Sequence, residues 1–186
     1  MKFNIIAMLC IHALLTGCVP PTKTEHMVVS SNNQRQAHSK FFEKLSVGNV
    51  TVNLKDDKRA ESQITKQDLK AALYKSLANY SFIATSSPAT YKMDAELETF
   101  EQVGFDVKIS NMLDIKVKSV ISYSIYEIYS GKLVFKKNIE SYYTTEFNKA
   151  FAGVKRVRLA NEGSIRSNFE LLMQELTIPS ESLRQN

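Results

Sequence analysis

The stretch MLDIKVKSVISYSIYEIYSGKLVFKKNIESYYTTEF, residues 112–147, decides how the chain folds. It contains two long runs in which apolar and polar residues alternate, as in strands with one buried and one wet face. Between them stands Tyr129-Ser130-Gly131. A two-residue Ser-Gly loop would set Ile125 against Lys136 and Ile121 against Glu140, mixing core and solvent across the pair. A three-residue loop, with Gly131 taking the positive φ of a G1 bulge, instead pairs Ile125 with Phe135, Ile121 with Ile139, Val117 with Tyr143 and Ile115 with Thr145. The second register is the expected one, because a slip of one residue turns the whole apolar row to solvent. The other face then carries Lys116, Lys118, Ser122, Ser124, Lys136 and Asn138.

Upstream of this hairpin, Tyr91, Met93, Ala95 and Leu97 alternate with Lys92, Asp94, Glu96 and Glu98, which predicts a third strand. Val50, Val52 and Leu54 share one face of a fourth, with a bulge expected at Gly48. Between these two strands, Leu69, Ala72, Leu73, Leu77 and Tyr80 fall at helical spacing behind Thr65, whose pairing with Asp68 resembles a capping box. Downstream, Val157, Asn161, Ile165, Phe169, Leu172 and Leu176 define a second amphipathic helix. Arg158, Glu162 and Arg166 lie at four-residue steps on its flank and read as a surface ion-pair ladder. Gly163 weakens this helix by about 1 kcal/mol relative to Ala, so close packing on the sheet is the expected reason for it. The elements imply an α+β domain of two layers, an antiparallel sheet with a long hairpin and both helices on one face.

The 186 residues suit one domain, expected over residues 41–178 with a tail at 179–186. Residues 19–40 are mostly Ser, Asn, Gln, Thr and charge, and read as a flexible tether whose root-mean-square span is roughly 25 Å. The net charge is +5, yet bases and acids are interspersed, so the clustered footprint of a nucleic-acid partner is missing.

The chain opens MKFNIIAMLCIHALLTGC, with Lys2 ahead of a mainly apolar run from Phe3 to Leu15. That layout is a signal peptide, too short for the roughly 20 apolar residues of a membrane span. It ends in Leu15-Thr16-Gly17-Cys18, which resembles the lipobox of bacterial lipoproteins. The resemblance implies cleavage between Gly17 and Cys18, a diacylglyceryl thioether on the Cys18 sulfur, and an acyl chain on the new N-terminus. Several chains together hold a protein stably on a membrane where one holds it reversibly. Val19 in place of an Asp implies, by the enterobacterial sorting rule, the outer membrane and a periplasm-facing domain.

Processing of this kind leaves little catalytic chemistry. Cys10 leaves with residues 1–17 and Cys18 becomes a thioether; from Ser39 onward there is no His, and His26 and His38 fall in the expected tether. Thiol catalysis, His-based triads and His-containing zinc sites are therefore not expected, and neither is any metal or cofactor. Asp56 and Asp57 sit in LKDDKRAES, a solvated turn by composition.

The pattern RLANEGSIRSNFELLMQEL after the hairpin is similar to a diffuse group of small periplasmic lipoproteins, YajG-type and transport-auxiliary among them. The resemblance implies a non-enzymatic envelope accessory that docks with a protein partner or handles lipid, and it brings no catalytic residue. The candidate partner-binding face is the wet side of the hairpin, at Lys116, Lys118, Val120, Tyr126, Ile128 and Val134. A second use of that basic face is binding of anionic lipid or glycolipid. The reading from another class is a cell-envelope hydrolase built on Glu96, Glu98 or Glu162.

Overall fold

In the computed structural model the described residues are 22–31, 39–54, 64–103, 114–150 and 153–178. In chain order they form a short helix α1 (Thr24–Met27), β1 (Leu45–Val52), α2 (Lys66–Asn79), β2 (Tyr91–Gln102), β3 (Ile115–Glu127), β4 (Leu133–Thr145), a 3-10 turn (Phe147–Lys149) and α3 (Gly153–Thr177). The strands make one sheet in the order β1-β2-β3-β4, with the helices packed on one face. The α+β class and two-layer arrangement agree with the sequence reading. The sheet, however, is mixed: β1 runs parallel to β2, and only β2, β3 and β4 are antiparallel. The cause is α2, which carries the chain back to the starting end so that β2 repeats the direction of β1.

Along the hairpin the expected register holds, with Ile125 opposite Phe135, Ile121 opposite Ile139, Val117 opposite Tyr143 and Ile115 opposite Thr145. Gly131 adopts φ 68°, the left-handed conformation that a glycine tolerates best. The loop is nevertheless one residue longer than expected. Glu127 N–H donates to Lys132 O, and Gly131 N–H to Glu127 O, which closes four residues, Ile128 to Gly131. The register is recovered where Ile125 faces Phe135 but Tyr126 faces Leu133, leaving Val134 as the extra residue of a bulge. Burial of the apolar row decides the long-range pairing, and the loop and bulge adjust to it.

One core joins the two layers. The sheet contributes Val50, Met93, Leu97, Ile121 and Ile125, and the helices contribute Leu69, Leu73, Leu77, Ile165, Phe169 and Leu176, all of them buried. Thr65 caps α2 by accepting from Asp68 N–H at 3.1 Å, and its hydroxyl donates back to the Asp68 carboxylate at 2.7 Å. The Gly48 bulge forms as expected between Val47 and Val50, and Asn49 N–H within it donates to Asp94 at 2.8 Å.

Helix α3 lies close on β3 and β4 because the seam between them is small. Ser119 and Ser141 are cross-strand partners whose hydroxyls meet at 2.8 Å, and Ser141 donates to Ser164 O of the helix at 2.9 Å. At Gly163 an added Cβ would fall 2.3 Å from Tyr143 Cδ1, so the ring occupies the space of a side chain. Farther along, the fully buried Tyr123 hydroxyl donates to Asn168 Oδ1 at 2.8 Å, and Asn168 Nδ2 donates to Ile139 O at 2.7 Å. Burial pushes the Tyr123 phenol well above its ordinary range, so it stays a neutral donor.

Gly163→Ala should lose about 1–3 kcal/mol of stability from overpacking, despite a helix-propensity gain near 1 kcal/mol. Chemical denaturation measures it, and combining the change with Tyr143→Leu should recover part of the loss. A neutral Gly163→Ala would mean that the Tyr143 ring swings clear.

Candidate functional site

The expected tether does not describe residues 22–31. They form a strap laid along the groove between α2 and α3, with Met27 0% and Val29 4% exposed. The apolar run Met27-Val28-Val29 was the signal for it in the sequence. Burying a side chain of this size contributes about 1.5–3 kcal/mol, enough to hold a short segment once polar bonds set its position.

Those bonds converge on Glu162. Far from lying on a surface ladder, this residue is 1% exposed, because α3 is pressed down at the adjoining Gly163. Its Oε1 accepts from Lys23 N–H at 2.7 Å, and its Oε2 accepts from His26 Nδ1 at 2.7 Å. Arg158 Nε stands 3.6 Å from Oε1. A buried carboxylate without such donors would be strongly unfavourable. The strap is further tied where Thr24 donates to Asp68 at 3.1 Å, Val29 N–H to Ser76 Oγ at 3.0 Å, and Asn79 Nδ2 to Val29 O at 2.8 Å. Lys75 pairs with Glu25 at 3.4 Å. The Glu25 carboxyl is held below its usual range, first by a backbone hydrogen bond and then by Lys75.

Beside this latch a cavity of about 300 Å³ opens between His26, Tyr143, Thr145, Lys149, Glu162 and Arg166. Thr145 is buried, and its hydroxyl has no hydrogen-bond partner among the described residues. A second cavity, of about 490 Å³, lies at the other end of the strap, between Val29, Tyr80, Glu170 and Gln174. Burial first and the Glu170 charge second raise the Tyr80 phenol above its ordinary value.

Of the residues singled out in the sequence, Gly17, Cys18, His38, Asp56 and Asp57 lie outside the described ones. Lys116, Lys118, Val120 and Tyr126 do share the wet face of the sheet, half-buried, and Ile128 is 52% exposed in the loop. Val134 departs from them: the bulge turns it to pack against the core. The lysines are engaged by a residue the sequence reading passed over, Tyr142, which the register sets opposite Lys118. Lys116 Nζ sits 4.9 Å from its ring centre, and Lys118 is 3.0 Å from Glu140, which accepts from the Tyr142 hydroxyl. That hydroxyl first and Lys118 second hold the Glu140 carboxyl low, while the hydrogen bond to Glu140 is the main cause that holds Lys118 high.

The three acids of the hydrolase reading are not brought together. Glu96 is on the wet face, where it accepts from Asn53 Nδ2 at 3.0 Å; Glu98 is at a bulge of β2; Glu162 is in the helix layer across the sheet. Among the described residues, no three of His, Cys, Asp and Glu group closely enough to hold a metal ion.

No family model matches the chain, and no curated protein does. Among solved structures it is similar to a Xanthomonas campestris protein of the family DUF330, at 12% identity over 90% of this chain and 98% of that one, with a TM-score of 0.56. That likeness shows the fold. Looser similarity extends to a minor lipoprotein from Acinetobacter baumannii, at 12% identity over 73% of this chain and 91% of that one, TM-score 0.44. It extends also to the rare lipoprotein B from Shewanella oneidensis, at 10% identity over 74% of this chain and all of that one (100%), TM-score 0.42.

Two predictions test the two faces. Glu162→Ala should cost about 2–4 kcal/mol and speed amide exchange at Lys23, with Glu162→Gln in between. Unchanged exchange would show that the carboxylate does not hold the strap. On the sheet, Glu140 stabilises the fold at neutral pH and loses that effect as pH falls through its lowered value. Tyr142→Phe should move the Glu140 midpoint up toward the ordinary carboxylate range in a carbon-detected NMR titration, and an unmoved midpoint counts against the assignment.

Proposed function

We propose that the chain is a bacterial membrane-anchored lipoprotein whose domain serves as a binding and assembly accessory in the cell envelope, without enzymatic activity. The observation that carries this reading is Leu15-Thr16-Gly17-Cys18 at the end of a charged-then-apolar leader, where sulfur is the nucleophile that can take a lipid. Gly17 and Cys18 flank the cleavage, Cys18 bears the acyl chains, and Val19 favours the outer membrane with the domain in the periplasm.

The polar groups of the domain support a binding role over a catalytic one. Glu162, the one deeply buried acid of the hydrolase reading, already has Lys23, His26 and Arg158 around its carboxylate. Lys116 and Lys118 are similarly engaged by Tyr142 and Glu140, which leaves less free positive charge on the wet face for anionic lipid. The same face keeps Tyr126, Ile128 and Val120 available to an envelope protein, bordered by the exposed Leu133 and Tyr142.

Cys18→Ser should abolish incorporation of an alkyne-tagged fatty acid and leave uncleaved precursor, as read by in-gel fluorescence and intact mass. Labelling that persists would remove the lipoprotein reading. A photocrosslinking amino acid at Tyr126 should capture an envelope protein in native membranes more strongly than one at Lys70 on the helix side; equal capture would move the partner surface elsewhere.

A further inference from the structure

The strap turns a loose anchor into a short one. If residues 19–40 were free, the domain would turn at will above a membrane, but the chain is already docked from Thr22, which is 9% exposed, and bonded from Lys23. Only Val19, Pro20 and Pro21 separate Thr22 from Cys18. Four peptide steps reach at most about 14 Å. A domain of this length is roughly 40 Å across, so a span that short cannot bring its far side to the surface that holds Cys18.

We propose that the face carrying the Lys23–Glu162 latch rests on the lipid bilayer, and that the wet face of the sheet points away from it. This rests on the lipoprotein reading for the anchor itself. The chemistry of the face suits the headgroup layer. Lys155, Leu159, Glu162 and Arg166 lie on one stripe of α3, at steps of four, three and four residues. Lys155 is exposed at one end and Arg166, shared with Glu170 at 3.8 Å, stands at the other. Lys149 and His26 complete the rim of the cavity, with the Thr145 hydroxyl, unpartnered among the described residues, inside it. Glu162 is buried and surrounded by donors, and the exposed Glu170 offsets Arg166, so among the described residues the free cations of this rim are Lys149 and Lys155. Membrane-facing cations of this kind favour anionic headgroups. The candidate partner surface at Tyr126 and Ile128 is then the side held out to other proteins.

The test uses the chain from Cys18 onward, which contains every described residue, coupled through the Cys18 thiol to a maleimide phospholipid in vesicles of phosphatidylethanolamine and phosphatidylglycerol. Chemical coupling makes the result independent of natural acylation, which the fatty-acid labelling above tests separately. An azide-bearing amino acid at Lys149 or at Lys136 carries a clicked fluorophore, and a nitroxide on the lipid headgroup quenches it. Quenching at position 149 should exceed that at 136 severalfold. Inserting a Gly/Ser spacer of about 20 residues after Val19, with a root-mean-square reach of roughly 25 Å, should bring the two closer together by releasing the short span. Equal quenching without the spacer overturns the proposal. A difference that survives the spacer still supports the proposal and assigns the orientation to the cations of the rim, in which case it should fall away at high salt.

Discussion

At Gly163 helix α3 has no side chain, and the ring of Tyr143 lies where a Cβ would be. The serines at 119, 141 and 164 continue the same narrow seam, so the helix descends onto the hairpin along much of its length. A helix that lies this low buries what it carries on either side of the contact. Glu162 is the residue next to the glycine, and its carboxylate goes under with it.

A buried carboxylate demands donors, and from its own helix Glu162 is approached by Arg158, at 3.6 Å. The remaining donors come from the far end of the chain, as Lys23 N–H and His26 Nδ1. Directional bonds of this kind set where the strap sits, while Met27 and Val29 supply the apolar burial that holds it there. The groove they fill is the gap between α2 and α3, two helices that scarcely touch one another. The strap is thus the third member of the helix layer, and the domain is incomplete without it.

The two faces of the molecule differ in kind as a result. On the helix side, one carboxylate is sunk into a latch, with Lys149 and Arg166 at the rim of the cavity beside it. On the sheet side, Lys116 sits over the Tyr142 ring, and Lys118, Glu140 and Tyr142 form a cross-strand group whose members hold one another's titration away from ordinary values. Such surface pairs contribute little to stability, so their arrangement matters for what the face presents and not for holding the sheet together.

Much of the fold was legible because it is written at short range. Alternation marks a strand, the 3.6-residue period marks a helix, and one apolar row opposite another selects a hairpin register; Gly48, Gly131 and Gly163 were each read for the backbone or packing reason the structure bears out. The parallel β1, the bulge at Val134 and the burial of Glu162 were not, since each answers to neighbours distant in the chain. Lys23 and Glu162 are 139 residues apart, and no local pattern links a polar-looking N-terminal segment to a flank position of the last helix. The sequence by itself determined the four strands, the two long helices and the hairpin pairing, because periodicity is a local property. Only the tertiary structure decided that an apparent tether is a docked strap, because the burial of one carboxylate depends on how closely a helix approaches a sheet.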